Sequence, residues 1–435
     1  MRFLLIILLF SSPVFLFSQI VAGPMPCYTD YKEALVWVQT AQSAKVRMQY
    51  ASMTNPDEKF LTDEIKTDAQ MVFTAKLLAD RVKPGMVYNY LILINGKAVK
   101  PKYRQQFTTP ALWQWRTPPP DYSFALGSCT YVNEPDVDRP GKPYGGGNSI
   151  FGSIAASKPA FMLWLGDNAY LREVDWNTNT GILHRYSHTR ALPEMQQLLA
   201  ETHHYAIWDD HDFGPNNSDR SFLHKDKALH AFNCFWGNPT CGIPGAKGIT
   251  SKFQWSDGDF LLLDNRYHRA PNDTKDSQKT MLGAEQLQWL KDALINSQAP
   301  FKFIALGGQF LNDAAVYECY SANGFNKERN EIIDFIYLHN IKGVVFLTGD
   351  RHHSEISKLT QPGKPDIVDI TISPLTSGTH SGNNEKNTLR VPGSLIDQRN
   401  YCKISVSGPQ KQRKLSVDFF DETGKQLYSY SITQN

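Results

Sequence analysis

Six short apolar runs in the later part of the chain each stop at a cluster of residues able to bind metal or move protons. They are Phe124-Ala125-Leu126 before Gly127-Ser128-Cys129, Phe161 to Leu165 before Gly166-Asp167-Asn168-Ala169-Tyr170, and Ala206-Ile207-Trp208 before Asp209-Asp210-His211-Asp212. The others are Phe260 to Leu263 before Asp264-Asn265-Arg266, Phe303 to Leu306 before Gly307-Gly308-Gln309, and Val344 to Leu347 before Gly349-Asp350-Arg351-His352-His353. Runs of this length and uniformity read as buried strands, and the amphipathic stretches Gly283 to Ile295 and Asn330 to Leu338 supply helices to cover them. In α/β folds the carboxyl ends of strands open onto the ligand crevice, so the pattern predicts an α/β domain with one polar site built from six strand ends.

The first part of the chain reads differently. From Val21 to Pro110 the runs alternate with period two, as in Ala34 to Val38, Lys45 to Tyr50, Ala69 to Leu77 and Val87 to Ile94, which predicts half-buried antiparallel strands. Lys83-Pro84-Gly85 precedes a strand with Tyr88 and Tyr90 on one face, the corner pattern of an immunoglobulin/fibronectin-like β-sandwich. Thr117-Pro118-Pro119-Pro120 is stiff and non-helical. The expected organisation is therefore a β-sandwich over 19–112, a Pro-rich linker over 113–122 and the α/β domain over 123–435. Ahead of these, Arg2 and the apolar run Phe3 to Phe17, broken at Ser11-Ser12-Pro13 and followed by Ser18, read as a signal peptide over 1–18. The expected product is exported, periplasmic or secreted, with no membrane span once the signal is removed. Lys and Arg total 45 against 43 Asp and Glu, and a formal charge of +2 excludes the basic field of a dedicated nucleic-acid binder.

Taken together, the six clusters offer a thiol, several carboxylates, a phenol, amides and imidazoles. Mixed sulfur, nitrogen and oxygen donors suit more than one metal ion, and a multinuclear centre can neutralise the oxygens of a transferring phosphoryl group. Asp350 and His352 alternate along an extended segment and share a face, which selects His352 over His353 as the ligand. Arg266 is a candidate phosphate clamp because a guanidinium fork matches phosphate geometry, with a carboxylate brace as the alternative. Gln309 either adds an amide oxygen to the metals or bonds the loop backbone. Cys234 and Cys241, flanking Gly237-Asn238-Pro239, have a spacing compatible with a disulfide in an exported protein. The loops Asn133 to Gly147 and Gly378 to Arg390 read as flexible segments near the site mouth.

Four ordered elements, Gly127-Ser128-Cys129, Gly166-Asp167 with Tyr170, Trp208-Asp209-Asp210-His211 with Asn216-Asn217, and Gly349-Asp350-Arg351-His352, resemble the PhoD-like alkaline phosphatases of the metallophosphoesterase superfamily. The helix opening Leu282-Gly283-Ala284-Glu285-Gln286-Leu287 is similar as well, and the resemblance covers almost all of the mature chain. It implies a metallophosphoesterase-type sandwich of β-sheets flanked by helices. It implies Fe3+ held by Cys129, Asp167, Tyr170 and His352, with Ca2+ bridged by Asp167 and held by Asp210, Asn216 or Asn217, and Asp350. His211 would stabilise the transition state or protonate the leaving oxygen, and a metal-bound hydroxide or oxo group would attack phosphorus. Two features depart from the family pattern: Asp212 stands where Glu is common, and Asn168 where an aromatic residue is frequent. The expected substrates are phosphomonoesters or phosphodiesters, small or polymeric, hydrolysed by a monomer. The alternatives are a diesterase with little monoesterase activity and a non-catalytic, metal-stabilised surface or carbohydrate-binding protein.

Overall fold

The computed structural model describes residues 20–275 and 279–434. The expected signal segment lies outside them. The alternating segments form two antiparallel sheets. One joins β1 (Ile20–Thr29), β2 (Ala34–Thr40) and β6 (Thr74–Ala79); the other joins β3 (Lys45–Ser52), β4 (Asn55–Leu61), β5 (Ile65–Lys66), β7 (Val87–Ile94), β8 (Lys97–Ala98) and β9 (Gln106–Thr108). Period two puts Val36 and Val38 of β2 into one core with Met48 and Tyr50 of β3 and Tyr88 and Ile92 of β7. The Tyr88 hydroxyl accepts the Lys83 backbone N–H at 2.7 Å and ties the corner to the strand.

The strand expected over Ala69 to Leu77 starts only at Thr74. Asp68 accepts the backbone N–H groups of Gln70 and Met71, and Val72 and Phe73 adopt left-handed φ of 49° and 57°, so a tight turn replaces the first half. Trp37 points away from the sandwich core and donates its indole N–H to the Cys234 carbonyl at 2.7 Å. Strand β2 is thereby covered on both faces around Trp37.

Beyond the linker, two six-stranded mixed sheets pack face to face. In the first, β10 (Tyr122–Gly127), β11 (Phe161–Leu165) and β12 (His203–Ile207) run parallel, and β19 (Asn400–Ser407), β20 (Lys414–Asp421) and β21 (Gln426–Thr433) extend it antiparallel in the order β12-β11-β10-β19-β20-β21. The second runs β13-β14-β15-β16-β18-β17, from β13 (Ser251–Trp255) through parallel β14 (Gly258–Leu262), β15 (Lys302–Leu306), β16 (Val344–Thr348) and β18 (Ile367–Thr371) to β17 (Glu355–Leu359). Phe124 stacks on Phe161 at 4.9 Å and meets Phe260 and Phe303 edge-on at 5.2 and 5.3 Å, which locks the sheets together. Helices α1 (Ile150–Ala156), α2 (Asn179–Arg190), α3 (Gln196–Glu201) and α5 (Lys225–Phe235) belong to the first sheet's core, and α6 (Ala284–Asn296) and α7 (Asn326–Leu338) to the second's. A short α4 (Asp210–Phe213) follows β12 directly.

The expected disulfide does not form; all six cysteines are free thiols. The Cys234 sulfur on α5 lies 3.8 Å from the Met71 sulfur and 3.5 Å from His230 Nε2, whereas that of Cys241 faces the Gly248 carbonyl at 3.5 Å. Each sulfur is committed to its own neighbours. The loop Gly378 to Arg390, expected to be flexible, is pinned by ion pairs of Glu385 with Arg351 and Arg390 with Glu355.

Candidate metal centre

The polar clusters after β10, β11 and β12 of one sheet and β16 of the other meet in one place. Five residues take left-handed backbone to do so: Cys129 (φ 60°), Asp167 (51°), Asn217 (62°), Asp350 (69°) and His352 (56°). None is glycine, and strain of this kind persists only where surrounding structure holds it, as at a functional site. The Asp209 side chain and that of Asp212 cap α4 reciprocally, which fixes the turn that aims Asp210 and His211 at the centre.

Three trios of ligand atoms result, the atoms of each within 4.8 Å of one another: Cys129, Asp167 and His352; Asp167, Asp210 and His211; and Asp209, Asp210 and Asp350. Asp167 belongs to the first two and Asp210 to the last two. Tyr170 sits beside the first trio, its hydroxyl donating to Asp167 Oδ2 at 3.1 Å and lying 3.2 Å from His352 Nε2. The Cys129 sulfur accepts from the Ser373 hydroxyl at 3.2 Å. Asp210 Oδ2 accepts the Asn217 backbone N–H at 2.7 Å, while Asp210 Oδ1 is buried without a hydrogen-bond partner.

The electrostatics favour a cation. Burial, then the nearby Asp210 and Cys129, push the Asp167 carboxyl far above the usual range. Burial raises Asp350 to about 7, helped by Asp209 and Asp210, and raises the Cys129 thiol to about 12. Asp210 is the exception: burial opposes its charge, but His211, Arg266 and the Asn217 N–H hold it at about 2. Buried acids crowded around a thiol and a phenol carry an uncompensated penalty that a multivalent cation removes. With the orphaned Asp210 Oδ1, this donor set fits metal ions.

Two cavities open above the cluster and share Tyr144 and Asn216. One, about 640 Å³, is walled by Tyr131, Tyr170, Trp176 and His211, with Arg139 and Lys142 at its margin. The other, about 680 Å³, is lined by Asp210, Asn217, Asn272, Asp350, His352 and His380. His211 stacks its ring on Tyr170 at 4.3 Å. Asn216 lines both cavities, whereas Asn217 lines only the second and meets Asp210 through its backbone.

Two expectations need correction. Arg266 is 1% exposed and does not reach either cavity; its guanidinium pairs with Asp209, with Glu318 at 2.7 Å and with the Ser218 carbonyl at 3.2 Å. Three anionic or carbonyl partners consume the fork, so it braces the carboxylates. Gln309 is fully buried behind the centre, donating to Glu355 and Thr371 and accepting from Asn312 and Arg351. Its amide anchors Arg351 instead of extending the donor set. Sequence reasoning passed over Asp209, legible as the first acid of an Asp-x-x-Asp cap, and Tyr144 and Glu318, which carry no local signal.

The comparisons with known proteins agree with this geometry. Residues 124–414 match the model of the PhoD-like phosphatase family, and residues 17–112 match a domain of unknown function, DUF7800. Over 206 residues, 40% of this chain, the sequence is 26% identical to alkaline phosphatase D of Bacillus subtilis (strain 168); the match spans 35% of that relative's length. The fold resembles that of PhoD, with a TM-score of 0.75 and 18% identity over 97% of this chain and 94% of the other. It also resembles the purple acid phosphatase PPD1 of yellow lupin, with a TM-score of 0.66 and 10% identity over 94% of this chain and 74% of the other. With the family model matching 124–414 of 435 residues, over every strand that feeds the centre, the chain belongs to the PhoD-like phosphatase family.

Proposed function

We propose that this protein is an exported, metal-dependent phosphoesterase. The observation that carries the reading is the crowding of Cys129, Asp167, Tyr170 and His352 against Asp210 and Asp350 on the floor of a double cavity. Thiolate, phenolate, carboxylate and imidazole suit a trivalent ion such as Fe3+, and the oxygen donors Asp210, Asn216 or Asn217, and Asp350 suit Ca2+, with Asp167 between them. When bound, such ions polarise the phosphoryl oxygens and activate a water for attack on phosphorus.

The chain's own residues do the rest. His211, stacked against Tyr170 at the cavity wall, would hold a phosphoryl oxygen and give the leaving alkoxide a proton. Arg266 holds Asp209 in place and helps to keep Asp210 charged. Export rests on the apolar segment Phe3 to Phe17. Among the described residues no helix is long and apolar enough to cross a membrane.

The paired cavities favour a second reading within the same class, a diesterase, because a diester needs room for an organic arm on either side of phosphorus. Hydrolysis of p-nitrophenyl phosphate and its bis-ester by one as-purified sample, with Asp167→Asn as control, tests both. Asp167-dependent release from either ester is expected, and the ratio of the two values of kcat/KM assigns monoesterase or diesterase preference. Metal-loaded protein with no Asp167-dependent release would overturn the enzymatic reading in favour of a binding role. Asp167→Asn is expected to lose turnover together with bound metal, because the shared carboxylate serves both halves of the centre.

A further inference from the structure

Tyr144 sits on the Pro- and Gly-rich loop between β10 and α1, and its side chain is held with unusual care for a residue that is 46% exposed. Its ring packs edge-on against Tyr131 at 4.9 Å and lies 5.9 Å from the ring of His352. Behind it Gly378 leaves the necessary space, since a Cβ there would come within 2.8 Å of the tyrosine ring. The backbone that follows is anchored twice. Asn133 donates to the Gly145 carbonyl and accepts the Gly145 N–H, both at 3.0 Å, and Gly146 N–H donates to the Thr376 carbonyl at 2.7 Å. What this arrangement achieves is a hydroxyl 3.0 Å from His352 Nδ1.

We propose that Tyr144 is a positioning residue, whose hydroxyl accepts the Nδ1 proton of His352 and so presents the bare Nε2 to the cluster of Cys129, Asp167 and Tyr170. The His352 backbone is already fixed, its N–H donating to the Ser373 hydroxyl at 2.8 Å and its carbonyl accepting from His380 N–H at 2.9 Å. The ring lies between two hydroxyls, that of Tyr170 3.2 Å from Nε2 on the side of the cluster and that of Tyr144 on Nδ1, and with Nε2 turned to a metal the Tyr144 hydroxyl is what holds the Nδ1 side. A partner on the far nitrogen of a ligating histidine raises its donor strength and is worth roughly 10- to 100-fold in metal affinity.

This inference rests on the reading of the cluster as a metal centre, and the experiment separates the two. Metal-stripped full-length protein and Tyr144→Phe, which keeps the ring and removes the hydroxyl, are titrated with Zn2+ in competition with a chromophoric chelator. The His352 tautomer is read from 15N shifts in histidine-labelled protein. Wild type is expected to hold the Nδ1–H tautomer and to bind Zn2+, and the variant to bind roughly 10- to 100-fold more weakly with a mixed tautomer and an unchanged Tm of the metal-free protein. Equal Zn2+ affinity and an unaltered tautomer in the variant would overturn the role of Tyr144 while leaving the metal centre standing. Wild type that takes up no Zn2+ would overturn the metal reading itself.

Discussion

Arg266 follows β14 in one sheet and His211 lies in α4 after β12 of the other, and the surroundings of each predict different consequences of its loss. Arg266 is enclosed by Asp209, Glu318 and the Ser218 carbonyl, so Arg266→Ala strands two buried carboxylates. Breaking a buried pair from one side costs about 3 to 5 kcal/mol, and a urea midpoint well below that of wild type is the expected result. A folded variant of wild-type stability with a raised KM would instead return Arg266 to the substrate. His211→Ala should do the opposite. It removes a cavity-wall imidazole and is expected to lower kcat roughly 100- to 10,000-fold with stability and metal content nearly intact. Metal analysis beside the rate measurement checks this; loss of metal would place His211 among the ligands.

At the scale of strands and loops, the sequence was most readable where one residue type has one local job. The six apolar runs became β10, β11, β12, β14, β15 and β16, and the thiol, acids and imidazoles after β10, β11, β12 and β16 meet because parallel strands within each sheet point their carboxyl ends the same way. Arg266 and Gln309 were misplaced for a common reason: both stand at the right strand ends, but their long side chains turn toward partners distant in sequence, Glu318 and Glu355. Tyr144 was invisible because a loop 208 residues before His352 in sequence delivers it. The segment Gly378 to Arg390 looked flexible from its Ser, Gly and Asn content, but Glu385 reaches buried Arg351, which sits between Asp350 and His352. Glu385→Ala leaves that guanidinium without its carboxylate, with the Gln309 oxygen, the Cys319 sulfur and the face of Tyr317 as partners. The loop should then become a site of rapid limited proteolysis, with a stability loss of about 3 kcal/mol. Cleavage no faster than in wild type would mean that the Arg390–Glu355 pair alone secures the loop.

Over the whole molecule, the seam between the N-terminal sheets and the α/β part is bridged by His203, which, like His204 beside it inside the α/β part, cannot accept a second proton without losing a bond. His203 Nδ1 lies 2.7 Å from the Cys27 carbonyl, to which it donates, while Nε2 accepts the Thr108 backbone N–H at 3.3 Å. His204 next to it accepts the Trp164 indole N–H on Nδ1 at 2.9 Å and donates from Nε2 to the Leu198 carbonyl at 3.1 Å. Burial lowers His203 to about 4 and His204 to about 3. A folded-state value below the unfolded one means that the unfolded chain binds more protons, so stability is complete above the ordinary histidine range and drains away as pH falls from about 6.5 toward 4. Asp369 works against this trend, because burial raises it to about 6 and favours the folded state at lower pH. A comparison with His203→Gln cancels that contribution, since glutamine can donate and accept at the same place but does not titrate. Urea unfolding between pH 7.5 and 4.5 should give wild type a slope steeper than the variant's by up to about 1.4 kcal/mol per pH unit. Parallel slopes would show that His203 titrates alike in both states and that acid opens the molecule elsewhere. If the slopes differ, the midpoint of the difference reports where the N-terminal sheets lose their hold on β12, because both partners of His203, Cys27 and Thr108, belong to those sheets.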